Sequence, residues 1–203
     1  MRKFMKAAVF TAAAVALMLT SCGSWDALLT IEGKAVPFTK GEEEISETLG
    51  DLFVRVDNYE YPEGSDKEKA VLRLCSFETE DSEGDFDYTF YDFNDGCCDL
   101  SKCDISVLGY DGVDIPIDEF EKDYKDFIIH DGVSDYSLYY ADGDFVEFEN
   151  DDYYSEENES VFEKLQSDTL NGNSDGFVMI SLFKSDDNTA EDISFTVVTK
   201  KKK

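Results

Sequence analysis

Several residue groups in this 203-residue chain have types and spacing that could do chemistry. Five are thiols: Cys22, Cys75, Cys97, Cys98 and Cys103. A thiol can be acylated, bridged or bound to a metal. Asn171, Asn173, Asp175 and Gly176 fit positions 1, 3, 5 and 6 of an EF-hand-type loop, so calcium is the one cofactor the sequence suggests. Position 12 of that loop is Leu182 where a bidentate Glu would stand. Asp92, Asn94, Asp95 and Gly96 begin the same pattern one residue short. Ser181 and Lys184 form an S-x-x-K. They sit in an apolar run that alternates as a strand, whereas that chemistry opens a helix. His130, beside Asp131-Gly132, reads as a solvated turn residue. With 47 acids, some pair will always meet the spacing of a glycosidase dyad, so that spacing discriminates nothing. No G-x-S-x-G, H-E-x-x-H, P-loop or dinucleotide fingerprint is present, and the chain reads as a non-enzyme.

A second constellation points to binding. Residues 142–163 hold ten acids and no Lys or Arg. Tyr136, Tyr139, Tyr140, Tyr153 and Tyr154 lie in or beside that run, with Glu147 within it. Aromatics anchor and acids steer, so these residues suit a basic protein or peptide partner. Phe145-Val146-Glu147-Phe148-Glu149 alternates only in part, so a strand pair with aromatics inward and acids outward fits equally well.

The formal net charge is −29, which repels a phosphate backbone and argues against nucleic acid. A hydrophobic fraction of 42% is too rich for a disordered acidic chain. The N-terminus runs against the overall charge. Arg2, Lys3 and Lys6 precede an uncharged stretch, 7–19, that is too short to span a bilayer as a helix. Leu19-Thr20-Ser21-Cys22 follows. This segment resembles the signal peptide and lipobox of bacterial lipoprotein precursors. The resemblance implies removal of residues 1–21 and acylation of Cys22. It also implies an exported protein, lipid-anchored at the cell surface or the periplasmic face of a membrane. Losing three basic residues with the leader leaves −32. Residues 22–199 carry −36, followed by a basic tail of four lysines, 200–203. Such a domain is expected to stand off anionic headgroups on a tether, 22–27.

The four remaining cysteines of an exported chain favour disulfides. Cys97 and Cys98 are adjacent, and a vicinal bridge is strained. Two bridges that separate this pair are expected, one through Cys75, with free buried thiols as the alternative. The spacing does not suit zinc.

These groups need elements to position them, and the pattern is α+β: mostly antiparallel β with about three short helices. Two strands flank Gly33-Lys34, and Thr39 with Glu42 marks a capping box before a helix that Gly50 stops. Strands are expected at 52–57, 70–77 and 86–93. The order then repeats, with a turn at Asp111-Gly112 and a second box at Asp118 and Glu121. Shifting by 79 residues overlays Gly33 on Gly112 and Pro37 on Pro116. The reading is two tandem copies of a hairpin–helix–strand–hairpin unit, 28–93 and 105–199, joined by a Cys-bearing link, 94–104. The second copy carries an insertion at about 131–172, with a hairpin at Asp142-Gly143 and a helix near 157–170 stopped at Asn171-Gly172. Repeat size and element order are similar to tandem-repeat exported proteins of the PepSY-like and β-lactamase-inhibitor-like families.

The function expected is a surface-tethered, non-catalytic binding or adaptor lipoprotein. The alternatives are a cell-envelope hydrolase using carboxylates and a calcium-stabilised structural protein.

Overall fold

The computed structural model describes residues 25, 28–38, 40–56, 72–75, 84–94, 104–111 and 115–201. Cys22, Cys97, Cys98, Cys103 and the side chain of Cys75 lie outside the described residues, and the lipidation and disulfide expectations lie outside them too. Within the described residues the chain is α+β, with three helices and eleven mostly antiparallel strands in two sheets.

The smaller sheet joins two hairpins. Strands β1 (Leu29–Ile31) and β2 (Lys34–Ala35) form one, and β6 (Ile105–Val107) and β7 (Tyr110–Asp111) the other. β1 pairs with β6 at the centre, giving the order β2-β1-β6-β7. The first turn is Glu32-Gly33, with φ of 51° and 72°. Positive φ at both central residues is the hairpin geometry that suits the twist of the strands. The second turn is Leu108-Gly109, with φ of 50° and 85°. The expected turn at Asp111-Gly112 is therefore three residues late, because Asp111 lies in β7 opposite Ser106. Gly33 corresponds to Gly109, a shift of 76, and not to Gly112. A Leu at positive φ is uncommon. Here its side chain is buried and its N–H donates to the Leu28 carbonyl at 3.1 Å.

Helix α1 (Glu42–Leu49) follows Gly41 and buries Ile45 and Leu49, one turn apart on one face. Gly50, at φ 59°, ends it. Helix α2 (Ile117–Tyr124) follows Pro116. Neither has a side-chain cap at its N-cap residue, Gly41 or Pro116, and the box expected at Asp118 and Glu121 does not form. Thr39 is outside the described residues, and Asp118 lies inside the first turn, where its Oδ1 accepts from Asn188 Nδ2 at 2.9 Å.

The larger sheet has the order β3-β4-β5-β11-β10-β8-β9. Its strands are β3 (Phe53–Val56), β4 (Leu72–Cys75), β5 (Phe86–Asn94), β8 (Tyr136–Ala141), β9 (Asp144–Phe145), β10 (Phe177–Lys184) and β11 (Ala190–Lys200). Only β3 and β4 run parallel among these pairs. β5 reaches Asn94, so the backbones of Asp92 and Asn94 pair with β11, while Asp95 and Gly96 of the short calcium-loop pattern lie outside the described residues. Both expected copies contribute strands to both sheets.

One core links the small sheet, α1 and α2 to one face of the large sheet. It includes Leu29, Ile31, Ile45, Val107, Phe120, Leu138, Ile180 and Phe195. Phe38 is held between the rings of Tyr91 and Phe195, 5.1 and 5.0 Å away. Alternate residues of the same strands, Tyr139, Phe177 and Val198, face the other way. They pack with Phe162 and Leu165 of helix α3 (Glu156–Asn171). Ser155 caps α3 by accepting from the Asn158 N–H at 3.2 Å, and Gly172, left-handed at φ 73°, stops it. No helix among the described residues is long and apolar enough to cross a membrane.

Candidate functional site

Strand β8 shows how the expected partner face resolves. Tyr136, Tyr139 and Tyr140 are all buried, so their expected exposure to a partner is corrected. The sheet is covered on both sides here. Tyr136 and Tyr140 point to the main core, against Phe120 (5.6 Å) and Phe145 (5.0 Å). Tyr139 points under α3, against Phe162 (5.2 Å) and Phe148 (5.7 Å). The Tyr136 hydroxyl donates to Glu121 Oε1 at 2.5 Å, and that of Tyr139 donates to Met179 Sδ at 3.3 Å. Burial raises the pKa of each of these three tyrosines. Tyr153 is half-buried on the Phe162 ring at 4.6 Å. Glu147 and Tyr154 remain exposed.

Tyr154 marks the surface that does remain. It is 77% exposed, and Val133 is 80% exposed; among the described residues these are the most exposed large apolar side chains. Two loops bring them together, and each is held by its own polar knot. In the first, Asp131 Oδ1 accepts from the N–H groups of Val133 (2.8 Å) and Ser134 (2.9 Å), and Oδ2 accepts from Ser137 Oγ (2.9 Å). Burial pushes the Asp131 pKa up, but the hydrogen bonds from Ser134, Val133 and Ser137 outweigh it and leave the pKa below the usual value. This knot turns Val133 outward.

In the second loop, Asn158 is fully buried in the first turn of α3. Its amide donates to the carbonyls of Asn150 (3.0 Å) and Asp152 (2.8 Å), and its Oδ1 accepts from the Glu149 N–H (3.2 Å). Tyr154 is tied at both ends: its N–H donates to Asp152 Oδ1 at 3.0 Å, and its hydroxyl to the Asp131 carbonyl at 3.4 Å. Asp135, Asp151, Asp152, Glu156 and Glu157 stand exposed on these two loops and the start of α3. Beside them stand His130, whose Nε2 is 3.9 Å from Asp151 Oδ2, and Lys184, whose backbone N–H donates to Asp135 Oδ2. The result is a rigid aromatic-aliphatic tip inside an acidic rim.

The opposite end of α3 is built differently. Asn171, Asn173 and Asp175 lie at the C-terminal end of α3 and just beyond it. Asn171 is the last helical residue and its amide donates to Ser167 Oγ at 3.1 Å. The Asn173 N–H donates to the Asp168 carbonyl at 2.8 Å, its amide to Asp168 Oδ1 at 3.3 Å, and Asp175 is exposed. The stretch is a helix stop whose amides are spent as donors. Just beyond it, Gly176 lies against β11: a Cβ there would stand 2.2 Å from the Val198 carbonyl oxygen and 3.1 Å from the Trp25 ring. Trp25 is 4% exposed. The Lys200 Nζ donates to the Leu170 carbonyl at the end of α3, and the Lys201 N–H donates to the Asp85 carbonyl at 2.8 Å. Lys200 thus belongs to the sheet and not to a frayed tail.

The catalytic candidates stay apart. Ser181 is buried in β10 opposite Ser137 and Ser194, while Lys184 is exposed at the strand end. His130 Nδ1 is engaged with the Asp135 carbonyl at 2.6 Å. Among the described residues the acids with resolved pKa shifts, Asp131, Asp168 and Asp187, all move down, whereas a general acid has its pKa raised. Among the described residues no group of three or more His, Cys, Asp or Glu could hold a metal. The exposed tip had a weak sequence signal: Val133 follows Asp131-Gly132, and Tyr154 comes two residues after Asp151-Asp152.

No known protein family, curated protein or solved structure matches this chain.

Proposed function

We propose that the chain is a lipid-tethered, non-catalytic binding or adaptor module for a basic protein or peptide, and that the tip around Tyr154 and Val133 is where that partner docks. The observation that carries this reading is the pairing of large exposure with rigidity. Tyr154 is held through its backbone and its hydroxyl, yet its ring is free to bury. An ordered aromatic loses little conformational entropy on binding, and hot spots are enriched in such residues. The surrounding carboxylates raise the rate of encounter with a cation and disfavour anionic competitors. Of the tyrosines first expected to contact the partner, Tyr139 packs instead against Phe148 and Phe162 beneath the second loop and α3, and Tyr136 and Tyr140 belong to the main core.

A photo-crosslinking residue at position 154 tests this in the native envelope, with the same residue at position 175 as control. A lysine- or arginine-rich partner caught at 154 and not at 175 supports the reading. Tyr154→Ala should lose that capture at an unchanged unfolding midpoint. Equal capture at both positions, or capture that survives Tyr154→Ala, overturns it.

A further inference from the structure

A row of three serines crosses the large sheet on the face that also carries Tyr139 and α3. Ser181 of β10 stands opposite Ser137 of β8 on one side and Ser194 of β11 on the other. Strand alternation puts Tyr139, Met179 and Thr196 in the next row of that face, and Phe183 and Asp192 in the row on the other side. Short side chains between rows of longer ones make a trough in the sheet face. The trough is closed to solvent: Ser137 is 0% exposed, Ser181 8% and Ser194 6%.

The three hydroxyls are not treated alike. That of Ser137 donates to Asp131 Oδ2 at 2.9 Å and lies 2.8 Å from Ser134 Oγ, so it belongs to the knot of the first tip loop. Among the described residues, the hydroxyls of Ser181 and Ser194 take part in no hydrogen bond. Their surroundings offer them little. The backbones of β8, β10 and β11 are committed to the ladder. Along β10 the neighbours on this face are a thioether, already engaged by the Tyr139 hydroxyl, and the Phe183 ring. A hydroxyl carries one donor and two acceptor positions. Burying it without a partner is costly, and native structures meet such groups with protein or with ordered water.

We infer that this trough is a binding site for a buried water molecule, held between Ser181 Oγ and Ser194 Oγ. Directly opposite residues have Cβ atoms about 4.5–5.5 Å apart, and a water within hydrogen-bond distance of both hydroxyls fits that spacing. Water donates and accepts, and each hydroxyl rotates to suit, so it gives to one serine and takes from the other. Two polar partners lie within the range that buried waters have. The water extends into β11 the polar row that begins at the Asp131 knot. It also accounts for hydroxyls, where methyls would pack as well, at two buried positions in the sheet. The site stands whether or not the Tyr154 tip docks a partner.

Oxygen-17 relaxation dispersion of the full chain reads waters that stay bound for longer than the protein tumbles. Replacing both hydroxyls, Ser181→Ala with Ser194→Ala, should remove the contribution of one such water relative to wild type. Each single variant should lower the unfolding midpoint, because it strips the water of a partner. A buried hydroxyl with no partner at all would do the reverse, since its removal relieves a desolvation cost. Water-to-amide cross-relaxation at Ser181 and Ser194 in the wild type reads the same site with no variant. Midpoints that rise in both single variants overturn the inference. So do lowered midpoints with an unchanged dispersion amplitude, the result expected if the two hydroxyls bond directly to each other, and so does a wild type without cross-relaxation at either serine.

Discussion

The two ends of helix α3 are both surface, and they are built on opposite principles. At the Trp25 end the apolar groups are consumed: the indole is packed against a glycine that no larger residue could replace, and a lysine covers the last helix carbonyls. At the Tyr154 end the polar groups are consumed: Asp131 and Asn158 gather the backbone N–H and carbonyl groups of two loops, and the apolar side chains are left outside. A surface that satisfies its backbone internally can leave an aromatic exposed in a fixed position. A surface that buries its aromatic offers charge. The difference teaches how one helix can end in a surface with its aromatic packed away at one end and in a surface that presents an aromatic at the other.

Four substitutions break or sharpen this contrast, in decreasing order of effect. Trp25→Ala should cost about 3–5 kcal/mol, the range for emptying a large buried aromatic site. Equilibrium denaturation measures it, and a loss under 1 kcal/mol would mean the indole is not part of the core. Asn158→Leu should cost about 2–3 kcal/mol, since it orphans the Asn150 and Asp152 carbonyls and the Glu149 N–H. Amide exchange should speed up at 149–154 and stay unchanged at 198–201.

Asp131→Asn should cost about 1 kcal/mol near neutral pH, allowing for its partial exposure. The pKa in the folded state is depressed, so this stabilisation is present above the unfolded value of about 3.9 and is lost as pH falls through the folded one. Wild type and variant should therefore converge in stability only once the pH is below that depressed folded value, and a gap that persists unchanged in acid would contradict the role given to the carboxylate. Tyr154→Ala should change stability by less than about 0.5 kcal/mol, as an exposed side chain does. A larger loss would show that the ring supports the loop and does not await a partner.

The sequence made some of these features legible and hid others. The hairpin at Asp142-Gly143 and the stop of α3 at Gly172 stand where the dipeptides indicate, because left-handed backbone is a local demand that Gly meets. The turn at Leu108-Gly109 was misplaced because Asp111-Gly112 carries the better local signal. The register was set instead by β1, which pairs Leu29 with Val107 and Ile31 with Ile105 and so puts both hairpins on one core. The capping box at Asp118 matched a pattern that the helix, starting at Ile117, did not use.

The sequence alone determined the charge, the α+β element order and the strands of the large sheet, because composition, period and turn chemistry are carried by neighbours in the chain. The tertiary structure decided which aromatics are spent and which are offered. Tyr139 is core because Phe162 and Phe177, 23 and 38 residues away, close over it. Trp25 is fixed because β10 and β11 meet beside it. Burial depends on residues distant in sequence, so the exposure of Tyr154 and the burial of Trp25 became readable only once those residues had been brought together.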